Sequence, residues 1–137
     1  MRKFLPLLAA GLVVGAAAAQ AAPGDRFDRE GQLERALEGR VAGEPVDCIN
    51  LSRVRGTRII PDTAIVYEVG NVLYVNRPRA GARSLEETDT MVSRPFSNRL
   101  CSIDTVQLYD MSARMTHGVV FLGDFVPYRR VRNRSAD

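Results

Sequence analysis

One histidine, His117, and two cysteines, Cys48 and Cys101, carry the most chemistry in a chain of 137 residues. A Ser–His–Asp centre is arithmetically possible, yet no Gly-x-Ser-x-Gly elbow is present to expose a nucleophile. His117 stands in a polar stretch beside Gly118 and reads as a solvated loop residue. A zinc site would have to draw its three or four ligands from this one His and two cysteines expected to be oxidised, so the sequence predicts no metal and no cofactor. Asp104, Asp110 and Asp124 fall in or near the last strands. A carboxylate pair held roughly 5–10 Å apart across a cleft could cleave glycosides. Ordinary turn and surface acids explain the same residues more simply.

A second group could bind rather than react. Arg77, Arg79, Arg83, Arg94 and Arg99 gather in and around two loops, with Tyr67, Tyr74 and Tyr109 in nearby strands. Guanidinium groups fork onto carboxylates and rings stack on sugars, so Arg77, Arg79, Arg94, Arg99, Tyr67 and Tyr74 are the candidate face for an anion or a glycan. Solvated loop arginines and half-buried sheet tyrosines are the competing explanation. Arg129, Arg130, Arg132 and Arg134 form a basic end whose attraction to anionic polymer or lipid would be weak and salt-sensitive.

Compartment follows from the first residues. Met1-Arg2-Lys3 is charged, Phe4 to Ala19 is apolar, and Ala19-Gln20-Ala21 fits a small-x-small cleavage site. This pattern predicts a secretory signal peptide over residues 1–21, with a mature chain of about 116 residues in a periplasm or outside the cell and no transmembrane anchor after cleavage. Losing Arg2 and Lys3 from the 19 basic residues leaves 17 against 16 acidic ones. The near-neutral balance argues against a nucleic-acid partner. An even cysteine count in an oxidising compartment predicts a Cys48–Cys101 disulfide closing a loop of about 54 residues. No Cys-x-x-Cys supports a redox pair.

The elements that must position these residues centre on Thr63 to Asn76. Two β-prone runs flank Gly70-Asn71, a pair suited to a type II′ turn. The two-residue turn fixes the register: Val69 opposite Val72, Tyr67 opposite Tyr74 and Ile65 opposite Asn76 on one face, Glu68–Leu73 and Val66–Val75 on the other. Both faces are mostly apolar, which suits interior strands of a curled sheet.

Around the hairpin, residues 22–44 read as a polar lead-in and one short helix from Asp28 to Arg40, capped by Asp28 and packed on the sheet through Leu33, Ala36 and Leu37. Further strands are expected at Val46–Asn50, Gly56–Ile60, Thr90–Arg94, Leu100–Tyr109 and Gly118–Tyr128, the last with a bulge or turn at Gly123-Asp124. Leu51–Arg55 reads as a turn and Asp110–Thr116 as a loop. Ser84 to Glu87 is spaced like a capping box. The fold class is mainly β: a single small antiparallel sheet or barrel-like domain over 45–128, of six or seven strands, with α+β as the alternative. Residues 129–137 read as a disordered basic tail.

From Val46 onward the chain resembles a family of small secreted bacterial proteins whose domain has no assigned function. The resemblance rests on Cys48-Ile49, Thr57 to Ile60, Thr63 to Tyr67, Leu73-Tyr74-Val75-Asn76-Arg77, Arg99-Leu100-Cys101, Ile103-Asp104 and the closing Leu122-Gly123-Asp124-Phe125-Val126-Pro127-Tyr128. Some relatives carry further cysteines; this chain has only the two. The resemblance implies an exported domain and supplies no catalytic residues. The sequence therefore points to a non-catalytic, disulfide-stapled envelope domain that binds an anionic glycan or another envelope protein, or that serves structurally. The alternative is a small periplasmic hydrolase using Asp104, Asp124 or His117.

Overall fold

The computed structural model describes residues 24–132, the first helical turn by its backbone alone. The expected signal segment, the start of the lead-in and the last five residues of the chain lie outside the described residues.

The hairpin forms as β4 (Ala64–Val69) and β5 (Val72–Asn76). Its register is the expected one, from Val69–Val72 through Tyr67–Tyr74 to Ile65–Asn76. Gly70 takes a φ of 60°, the left-handed first position of the turn. On the β4 side lies β3 (Val54–Ile60); on the β5 side lies β10 (Phe125–Arg130), followed by β1 (Arg40–Ala42). The five-stranded sheet runs β1-β10-β5-β4-β3, all antiparallel, so the hairpin is interior.

Alternation along the hairpin divides its side chains between two cores. Ile65 and Tyr67 point one way with Ile59 and Phe125. They meet Ile49 of β2 (Cys48–Asn50), Leu100 of β7 (Arg99–Cys101), Val106 and Leu108 of β8 (Thr105–Asp110) and Val120 of β9 (Met115–Phe121). Ala64, Val66 and Val75 point the other way, and α1 (Gly24–Ala36) covers them with Leu33. A fully buried Leu is worth roughly 1.5–3 kcal/mol, so Leu33 alone accounts for much of the helix's hold on the sheet.

The fold is mainly β, and among the described residues it has one helix, ten strands in three antiparallel sheets and no closed barrel. β2 pairs with β7, and β6 (Thr90–Ser93) with β8 and β9 in the order β6-β8-β9. Two of the three extra strands come from splits, and the third, β1, forms where the expected helix would have ended. Asp104 closes a tight turn by accepting from the Cys101 backbone N–H at 2.7 Å, so Leu100–Tyr109 is β7 and β8 rather than one strand. Residues 122–124 divide β9 from β10. There the buried Asn76 side chain donates to Gly123 O (2.7 Å) and accepts from Gly123 N (3.0 Å). A Cβ on Gly123 would lie 2.4 Å from the Arg77 carbonyl oxygen, so the approach requires glycine.

Other boundaries move for equally local reasons. Asp28 does not cap the helix, which begins at Gly24; it lies inside and accepts from Gln32 one turn on. The helix stops at Ala36 because the chain turns through Leu37–Gly39, with Gly39 at φ 72°, and Arg40 enters β1. β10 continues to Arg130, so Arg129 and Arg130 pair with Val41 and Arg40 instead of belonging to a tail. No helix among the described residues is long and apolar enough to cross a membrane.

Candidate functional site

The fold divides the anticipated arginine–tyrosine face. Tyr67 is only 4 % exposed, sits edge-on to Phe125 with ring centroids 5.7 Å apart, and has its phenol pushed up by burial. It therefore offers no ring to a ligand. Tyr74 is half-buried against the same core. Arg77 forks onto Glu30 of α1 at 2.8 and 2.9 Å. That bond holds the Glu30 carboxyl below its usual range and raises the guanidinium. Arg79 donates to the carbonyls of Leu122 (2.7 Å) and Ser102 (3.0 Å), tying two turns together. Both arginines are exposed, but their guanidinium groups are already engaged by bonds within the chain.

Arg94 and Arg99 are placed differently. They stand at the two ends of the β6–β7 loop, and neither forms an ion pair among the described residues. Between them Phe96 is fully exposed. β6 ends at Ser93, and Pro95 just beyond it has no N–H with which to extend the ladder. The Asn98 carbonyl, accepting from Leu51 N at 2.8 Å, anchors the far side of the loop. The candidate face expected from sequence did not include Phe96, a fully exposed aromatic between two exposed cations.

The acids and the histidine also regroup. Asp104 is committed to its turn and Asp124 is exposed in the β9–β10 connection. Neither joins His117. His117 is not a loop residue: β9 starts at Met115, because Asp110 accepts from Ser112 N (2.7 Å) and Ala113 N (3.1 Å) and shortens the turn. Its Nε2 lies 2.6 Å from Asp89 Oδ1, and the Asp89 side chain is only 2 % exposed. The second Asp89 oxygen accepts from Glu86 N at 2.9 Å. This bond replaces the capping box expected from Ser84 to Glu87, since Ser84 instead ends a 3₁₀ turn over Ala82–Ser84.

Two glycines let this acidic turn approach β9. A Cβ on Gly118 would lie 2.7 Å from Ser84 Cβ, and one on Gly81 would lie 2.2 Å from the Val119 carbonyl oxygen. Buried Leu85 pins the turn to the core. The result is the one group of three His, Cys, Asp or Glu side chains among the described residues whose ligand atoms all lie within 4.8 Å of each other: Glu86, Asp89 and His117. The hydrogen bond to Asp89, aided by the charges of Glu86 and Asp110, raises the His117 pKa against the opposing effect of desolvation. Beside it a cleft of about 470 Å³ is lined by Thr57, Arg58, Ile59, Glu87, Asp89 and Met91. It opens between the edge strands β3 and β6. Among the described residues, the hydrogen-bond partner of His117 is Asp89 rather than a hydroxyl or thiol.

The disulfide joins Cys48 and Cys101, directly opposed across the β2–β7 pair. Ser102 N donates to Asp47 O at 2.8 Å, and the Ser102 hydroxyl donates to the Asp47 carboxylate. The bridge therefore sits in a locally clamped corner. Comparison with protein families, curated proteins and solved structures returned no match to this chain.

Proposed function

We propose that the protein is an exported envelope domain that works by binding an anionic partner, a glycan being the first candidate, through the β6–β7 loop. The observation that carries the reading is Phe96, fully exposed between Arg94 and Arg99. An aromatic face stacks on a sugar ring while flanking guanidinium groups meet carboxylates. The Cys48–Cys101 bridge supports an oxidising compartment, and it staples β7, which starts at Arg99, to β2. The leader pattern and the resemblance to secreted bacterial proteins favour the same compartment. The hydrolase alternative loses ground because Asp104 and Asp124 stand apart from His117.

The test uses the oxidised protein and a uronic-acid polymer, alginate, as probe. Replacing Arg94, Phe96 and Arg99 together with Ala should weaken retention roughly tenfold, and high salt should weaken wild-type binding as well. Equal retention of the wild type and the triple variant would contradict the reading.

A further inference from the structure

We propose that Glu86, Asp89 and His117 form a binding site for a single divalent transition-metal ion of the zinc type. The inference is independent of the β6–β7 loop and of any glycan.

The donor set suits such an ion. One imidazole nitrogen with two carboxylate oxygens is a borderline mixture that zinc accepts. Three protein ligands leave a coordination position for water, unlike a closed four-ligand structural site. The spacing also suits it. Donors about 2.1 Å from one zinc ion stand roughly 3.0–3.5 Å from one another. Here the ligand atoms already lie within 4.8 Å, so closing on an ion needs only side-chain adjustment.

The three ligands are held unequally, as a site that must bind and release would need. His117 is fixed on a strand. The Asp89 side chain is almost fully covered and is oriented by the Glu86 backbone N–H, the kind of supporting hydrogen bond that aims metal ligands. Glu86 is exposed and forms no ion pair among the described residues, so its carboxylate can swing in.

Local charge points to a cation separately from the ligand geometry. Glu87 and Asp89 border the cleft. Among the described residues no arginine comes within ion-pair distance of Glu86, Glu87, Asp89 or Asp110. Arg58 lines the same cleft and offsets part of this acidity without pairing to it, and a bound dication would balance the rest. Asp89 is the ligand that lines the cleft between β3 and β6, which supplies a route for the ion.

His117 is the only histidine in the chain, so a tag-free protein gives an unambiguous readout. Zinc would be titrated against a chromophoric chelator, and the imidazole followed by ¹⁵N NMR. The expected result is one equivalent bound with the His117 ring nitrogens shifted. Glu86→Gln should weaken binding about 10–100-fold, and His117→Gln should abolish it. Because Glu86 is exposed, E86Q keeps the test valid if a change at the covered Asp89 side chain fails to fold. An unshifted His117 ring, no binding in the wild type, or the same affinity in E86Q and H117Q as in the wild type would each overturn the proposal.

Discussion

The hairpin and the His117 corner are built on opposite plans. Across the Gly70-Asn71 turn, every β4–β5 partner lies within a dozen residues, and both faces of the hairpin end in apolar cores. At the His117 corner Asp89 and His117 are 28 residues apart, and the contact is polar, at the mouth of a cleft. The first region specifies itself through a turn and an alternation pattern. The second exists only because the rest of the fold brings a loop against a strand. Stability is expected to reside in the first and chemistry in the second.

The sharpest way to break that contrast is at Phe125, which is fully buried and packs against Tyr67. Phe125→Ala should cost about 3–5 kcal/mol, read from the urea midpoint. A cost under about 1 kcal/mol would mean that the large core is not what holds the sheets together. Next comes Asn76→Ala, which leaves both the N–H and the C=O of Gly123 without their partner. The expected loss is about 2–3 kcal/mol. A near-neutral result would show that water replaces the amide in this turn.

The smallest effect belongs to the corner. The folded pKa of His117 is raised above its unfolded value, so the stabilisation is fully present below about pH 6.5 and is lost as pH rises through the folded value. His117→Gln should therefore cost more near pH 5 than near pH 9, as read by thermal unfolding at the two conditions. A pH-independent cost as large as that of Phe125→Ala would make the corner structural and erase the distinction between the two regions.

The same contrast explains what could be read from the chain. The hairpin register was legible because a two-residue turn leaves no freedom to slip. The mainly β class and the Cys48–Cys101 pairing were legible for comparable reasons: strand-prone runs separated by turn residues, and two cysteines with one way to pair. The split at Ser102–Asp104 was not, because it depends on Asp104 capping Cys101. The neighbours of His117 were not, because Glu86 and Asp89 lie in no strand paired with β9. Their approach rests on Gly81 and Gly118, whose role appears only when the loop and the strand are seen together. Arg77 and Arg79 looked available because sequence cannot show that Glu30 and two carbonyls already hold them. Phe96 escaped notice because solvent exposure of a single aromatic leaves no periodic trace.

The reading as an exported, oxidised binding domain depends most directly on processing and thiol state. The decisive measurement is the intact mass of protein recovered from the periplasm or culture medium, alkylated with and without prior reduction. The expected chain begins near Ala22 and takes up alkylating reagent only after reduction. An unprocessed chain retained in the cytoplasm, with Cys48 and Cys101 both alkylating freely, would contradict it.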